Sequence, residues 1–179
     1  IAHIYCNDVV GIVGENFTFP VESNQRMVEI VWVKNKDKVA EREGDNSTAY
    51  FGPRHYRNVL TKDGSLTIVN LEKDDAGTYE LHYWDSKKDH YLKFVLVVLD
   101  FPEPKTSCNT SNGELILNCT ADFQESVNYT WKLDNDPRVY PLQELSIPWR
   151  DVTATKATCT IKFSQTERSS EIFLTPCRP

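Results

Sequence analysis

Long apolar runs are missing from this chain of 179 residues, and so is any excess of positive charge. No stretch approaches the roughly 20 apolar residues that a membrane-spanning helix needs. Met occurs once, and sustained apolar spacing at i, i+3 and i+4 is hard to find, which argues against a helical bundle. The net charge of −6 argues against a general nucleic-acid binder, which carries a basic stripe. A charged-then-apolar leader is absent, so the chain reads as a mature fragment, its signal peptide removed and any anchor lying beyond Pro179. The histidines His3, His55, His82 and His90 are scattered, and no nucleophile elbow, metal-binding helix or phosphate loop occurs. The expectation is a protein without catalytic activity, cofactor or metal.

What is present points outside the cell. Apolar residues make up 40% of the chain, enough for a packed core. The length suits two domains of about 90–100 residues. Four of the five cysteines, Cys108, Cys119, Cys159 and Cys177, lie in the second half, and Cys6 stands alone. No C-x2-C pair or nearby histidine supplies a metal-ligand spacing, so disulfides and an oxidising compartment are expected. N-x-[ST] sequons at Asn16, Asn46, Asn109, Asn118 and Asn128 agree with a secreted glycoprotein. Cys6 is expected to be a free, partly buried thiol, with an intermolecular disulfide as the alternative.

Two prolines in the segment 101–105 break helix and strand alike. That segment reads as a linker between a domain over 1–100 and one over 106–179. In the first half, Phe17, Phe19 and Val21 alternate with polar residues, as do Phe94, Leu96 and Val98, the pattern of half-buried strands. Asp75-Ala76-Gly77-Thr78-Tyr79 matches the D-x-G-x-Y of an immunoglobulin tyrosine corner, and Trp32 suits the core tryptophan of strand C. The positions that usually carry the inter-sheet cysteines read Val21 and Leu81, so this variable-type domain must hold together by packing. In the second half Cys119, Trp131 and Cys159 keep the immunoglobulin order. Cys119 is therefore paired with Cys159 and Cys108 with Cys177, the outer pair tying a first strand over Thr106–Thr110 to a last strand over Glu171–Cys177. The fold class expected is all-β, two tandem immunoglobulin-like sandwiches: a variable-type domain without its disulfide, then a short constant-type domain with two.

That combination resembles the signalling lymphocyte activation molecule family and its adhesion relatives. Three stretches carry the likeness: Trp32-Val33-Lys34-Asn35-Lys36-Asp37-Lys38-Val39-Ala40-Glu41-Arg42-Glu43, Gly64-Ser65-Leu66-Thr67-Ile68, and Ser169-Ser170-Glu171-Ile172-Phe173-Leu174-Thr175-Pro176-Cys177. The resemblance implies a cell-surface adhesion and co-stimulation ligand whose partner is the rosetting receptor of T cells and natural killer cells. Contact would run through strands G, F, C, C′ and C″ of the first domain. Residues placed there by the resemblance, or by charge and alternation, are Glu29, Lys34, Lys36, Asp37, Lys38, Glu41, Arg42, Glu43, Tyr50, Trp84, Lys87, Lys88, Asp89 and Lys93. Period-two alternation from Tyr79 and Leu81 turns Glu80, His82 and Trp84 outward. Alternatives are self-association, another receptor of the same family, or a viral mimic.

Overall fold

The structure, a computed structural model, describes residues 5–22, 26–45 and 47–179. It divides into two compact units, Ile1–Asp100 and Phe101–Pro179. Both are built from strands and short 3-10 turns.

The first unit is a sandwich of two sheets. Its larger sheet runs β1 (Tyr5–Ile12), β9 (Asp89–Leu99), β8 (Gly77–Trp84), β3 (Glu29–Lys34), β4 (Asp37–Glu43), β5 (Ala49–Tyr50). In immunoglobulin lettering β3, β4, β5, β8 and β9 are C, C′, C″, F and G. Strand β1, which the sequence reading did not identify, pairs parallel to β9. The smaller sheet runs β2 (Phe17–Thr18), β7 (Leu66–Ile68), β6 (Asn58–Leu60). Inward side chains fill the space between the sheets: Ile30 and Trp32 from β3, Tyr79, Leu81 and Tyr83 from β8, Phe94, Leu96 and Val98 from β9.

Packing stands in for the missing disulfide. Leu81 is fully buried and Val21 leans on the edge of the core. Phe19 lies among the aromatics, its ring centre 5.2 Å from Trp32, 4.7 Å from Tyr79 and 5.3 Å from Phe94. The indole of Trp32 donates to the Gly64 carbonyl at 2.9 Å, so the largest core residue leaves no polar atom unpaired.

The tyrosine corner closes as the D-x-G-x-Y string implies. The Tyr79 hydroxyl donates to the Asp75 carbonyl at 2.6 Å. A Cβ on Gly77 (φ 152°) would sit 2.8 Å from the Asn35 amide oxygen, so only glycine allows that approach. Arg57 grips the buried Asp75 carboxylate with both terminal nitrogens, at 2.8 and 2.7 Å. Burial pushes the Asp75 carboxyl up, but the Arg57 bonds and the Glu72 amide outweigh it and hold it below the usual carboxylate range.

In the second unit, β10 (Lys105–Ser111), β11 (Glu114–Thr120) and β13 (Glu144–Pro148) form one sheet, with β11 central. Strands β12 (Asn128–Leu133), β14 (Lys156–Phe163) and β15 (Thr166–Phe173) form the other. The Cys119–Cys159 bond crosses the core beside the buried Trp131. Cys108 joins Cys177.

Three expectations change. The segment read as a linker belongs to the second unit: Phe101 is buried against Phe123, Pro104 is buried, and Arg168 donates to the Phe101 carbonyl at 2.9 Å. Proline stops regular structure without stopping burial. The last strand ends at Phe173, and Cys177 sits in a 3-10 turn, Thr175–Cys177, with Pro176 at its start. Cys6 is free but exposed, because β1 is an edge strand and Cys6 points off the core.

Candidate protein-docking face

Alternation decides which side chains the larger sheet shows to solvent. With Ile30, Trp32, Tyr79, Leu81 and Phe94 inward, their neighbours point out. Strand β3 presents Glu29, Val31 and Val33; β8 presents Glu80, His82 and Trp84; β9 presents Asp89, Tyr91 and Lys93. Register sets them in rows: Glu29 beside Trp84 and Asp89, Val31 beside His82 and Tyr91, Val33 beside Glu80 and Lys93. On the other flank β4 sets Glu43 against Glu29, Glu41 against Val31, and Lys38 against Val33 after a bulge.

The face is therefore polar along the strands. Glu29, Glu43 and Asp89 gather towards the turn between β8 and β9. Lys38 and Lys93 lie towards the turn between β3 and β4, where Lys36 and Asp37 are exposed. That turn is a tight two-residue hairpin with Asn35 and Lys36 both at positive φ (47° and 77°), a conformation asparagine tolerates well. Glu29 and Glu43, like charges directly opposite, raise the energy of the free domain. Among the described residues neither has an ion-pair or hydrogen-bond partner. Between them lies a shallow hollow of about 340 Å³, also lined by Val31, Glu41, Ser47 and Ala49. Glu41 itself is bonded to Lys38 at 2.8 Å.

Along the middle runs a less polar strip. The His82 and Tyr91 rings meet at 4.4 Å, flanked by Val31 and Val33. Partial burial and a hydrogen bond to Glu80 push the Tyr91 phenol up to about 12. Tyr91 and Val31 were not singled out from the sequence; counting back by two from Lys93, the outward neighbour of the buried Phe94, would have found Tyr91.

The turn between β8 and β9 is fixed by one carboxylate. Asp85 accepts from the Lys88 and Lys87 amides, each at 3.0 Å, and from His90 Nε2 at 2.5 Å. These bonds, the Lys88 amide foremost, lower its pKa to about 2. His90 lies flat on Tyr83, ring centres 4.4 Å apart, so the core supports the turn. Lys87 and Lys88 are exposed at its tip.

Eleven of the fourteen expected contact residues are thus on the face or at its two turns, and three are turned away. Lys34 shares the inward parity of Trp32; its ammonium donates to the Asp74 carbonyl at 2.7 Å, and burial lowers its pKa. Arg42 lies opposite inward-facing Ile30 and donates to the Thr61 carbonyl at 3.1 Å. Tyr50 lies opposite buried Ala40, and its hydroxyl accepts from the Leu60 amide at 2.8 Å. For a strand one residue of parity decides the face, and a charge run conceals parity.

Four sequons lie in the described residues and Asn46 lies outside them. Asn16 and Asn109 are exposed, Asn128 is exposed at the start of β12, and Asn118 is half-buried in β11. Among the described residues no group of three or more His, Cys, Asp or Glu side chains is arranged to hold a metal.

No family model matches the chain. Human lymphocyte function-associated antigen 3 is 30% identical over 187 residues, covering 98% of this chain and 72% of that protein. Human SLAM family member 7 is 30% identical over 138 residues, covering 70% of this chain and 41% of that protein. Among solved structures, the CD2-binding domain of CD58 (lymphocyte function-associated antigen 3) superposes with a TM-score of 0.53 at 28% identity, covering 93% of this chain and 96% of that one. With an all-β fold, two disulfides in the second unit and this likeness over nearly its whole length, the chain belongs to the lymphocyte function-associated antigen 3 group of immunoglobulin-superfamily adhesion proteins.

Proposed function

We propose that the outer face of β9, β8, β3, β4 and β5 docks the rosetting receptor of T cells and natural killer cells. The likeness to a CD2-binding domain supports this partner. Docking occurs at the cell surface and supports cell adhesion and co-stimulation. The observation that carries the reading is the ordered charge on the face: carboxylates of Glu29, Glu43 and Asp89 in one row, edged by Lys87 and Lys88 at the turn, and lysines 38 and 93 in another, accompanied by Glu80 and edged by Lys36 and Asp37. A partner with the complementary order of charge docks in one orientation, and like charges turn wrong orientations away. The carboxylates Glu29 and Glu43, strained against each other in the free domain, gain most from a cation.

Exposed ion pairs contribute only about 0.2–1 kcal/mol each. The complex is therefore expected to be micromolar, quickly exchanging and weakened by salt. Surface plasmon resonance of the fragment over the immobilised receptor tests this. Replacing Lys36 and Lys38 by glutamate turns attraction into repulsion at two points and should weaken binding at least about tenfold, a change of about 1.4 kcal/mol. Unchanged affinity in that variant, or no salt dependence, overturns the reading.

The same order of charge supports a second reading. Two copies related by a two-fold axis across the strands would set the carboxylate row against the lysine row. Sedimentation of the fragment alone distinguishes this: a concentration-dependent dimer lost in the Lys36/Lys38 variant supports self-association.

A further inference from the structure

Asn109 and Asn118 project from the same side of one sheet. Asn109 pairs with Ile116 across β10 and β11, and Asn118 lies two residues along β11, so the two are diagonal neighbours on the outer face. Their surroundings differ. Strand β10 is an edge, paired only with β11, whereas β11 is paired on both sides, Asn118 lying between Ser107 and Glu144. Asn16 precedes a strand and Asn128 opens an edge strand. Asn118 is thus the one described sequon whose backbone is hydrogen-bonded from both flanks. The middle residue of its sequon is Cys119, whose side chain is fully buried and bonded to Cys159.

We propose that N-glycosylation at Asn118 and closure of the Cys119–Cys159 bond compete during biosynthesis, while Asn109 is modified independently of either. In the transfer, the Asn amide nitrogen forms a bond to the anomeric carbon of an oligosaccharide carried on a lipid diphosphate. The carbon–oxygen bond to the diphosphate breaks, the lipid diphosphate leaves with the electron pair, and the amide releases one proton. The transferring enzyme has to bend the acceptor tripeptide into its own site. A central strand, with amides and carbonyls committed on both edges, cannot yield that conformation without unfolding.

Disulfide formation ends the unfolded interval. Two thiols lose two electrons and two protons to a protein disulfide of the secretory compartment. Chain order sets the timing: Cys159 follows Cys119 by 40 residues, whereas Cys177 follows Cys108 by 69. Synthesis therefore delivers the partner that closes β11 sooner than the one that closes β10. The product is a mixture in which Asn109 always carries sugar and Asn118 carries it in a minority of chains, screening Ile116 between them to a variable degree.

The test is site-by-site occupancy in chains made in mammalian secretory cells. Glycan is removed enzymatically in heavy-oxygen water, and labelled aspartate is counted by peptide mass spectrometry. Total intracellular chains are analysed, so variants that fail to leave the cell are still counted. In untreated cells Asn109 should be nearly full and Asn118 well below half. A brief pulse of dithiothreitol during synthesis, or Cys159→Ala, should raise Asn118 several-fold and leave Asn109 unchanged; Thr120→Ala should empty Asn118 alone. Asn118 as full as Asn109 in untreated cells, or Asn118 unmoved by both reductant and Cys159→Ala, overturns the proposal.

Discussion

Replacing Asp75 by asparagine isolates what holds the two sheets of the first unit without a disulfide. The change keeps the shape of the side chain and removes its charge. Arg57 is 7% exposed, and its Nε already lacks a partner. Without the carboxylate, its guanidinium keeps the Asn70 carbonyl at 3.1 Å and, at a longer 3.6 Å, the half-exposed Glu72 carboxylate, a weaker partner than the one removed. Breaking one side of a buried ion pair costs about 3–5 kcal/mol, because the other charge stays buried. The Tyr79 bond goes to the Asp75 backbone and survives, so Tyr79→Phe should cost only about 1–1.5 kcal/mol. Since typical domains are stable by about 5–15 kcal/mol, Asp75→Asn should leave the first unit marginal. Hydrogen exchange read by mass spectrometry on the 179-residue chain resolves the two units. Amides of β3 and β8 should lose protection, and those of β11 and β14 should not. The double variant Arg57→Met, Asp75→Leu should recover most of the loss, since no charge is left behind. A cost below about 1 kcal/mol for Asp75→Asn, or a double variant as weak as the single, would refute the argument that the ion pair matters through the penalty of breaking it. The pH dependence has a definite sign. The Asp75 carboxyl is depressed in the folded chain, so its contribution is present above its unfolded value of about 3.8 and is lost as pH falls through the lower folded value.

Phe19→Ala should cost the first unit about 3–5 kcal/mol, read from urea unfolding followed by near-ultraviolet circular dichroism, because it removes the ring that touches Trp32, Tyr79 and Phe94. The turn held by Asp85 should stay ordered from neutral pH down to about 4 and loosen as pH falls towards about 2, seen as faster exchange or shifted resonances at Lys87 and Lys88. Asp85→Asn should loosen the same turn at neutral pH and weaken receptor binding without unfolding the core. Removing the Cys108–Cys177 pair by double alanine substitution should lower the stability of the second unit by roughly 4 kcal/mol, as a ceiling from loop entropy, measured by guanidinium titration.

Much of the fold could be read because several local signals agreed. Asp75, Gly77 and Tyr79 each have one structural task in the corner. Alternation along β8 and β9 assigns inside and outside without ambiguity. Two kinds of information were harder to see. Strand β1 has a sequence, Tyr5-Cys6-Asn7-Asp8-Val9-Val10-Gly11-Ile12, with no clean alternation, and its order comes from parallel pairing to β9, a contact more than 80 residues away along the chain. Side-chain direction within the charged hairpin was hidden because Lys34 and Arg42 look like their neighbours in composition. Their long stems let an inward Cβ carry a charged tip to the backbone carbonyls of Asp74 and Thr61. Phe101 shows the same lesson for prolines: a residue followed by two of them still seats its ring when a hydrophobic slot is near.

The Cys108–Cys177 bond has a mechanical consequence. A pull applied between Phe101 and Pro179 travels along the chain to Cys108, crosses the sulfurs, and leaves from Cys177, so the intervening 69-residue span carries no tension. Unravelled, that span would lengthen by more than about 200 Å at about 3.3–3.6 Å per residue. With the bond intact this extension is unavailable, and the second unit behaves under load as a short inextensible tether. Chemical reduction, rather than force alone, is what would turn it into a spring.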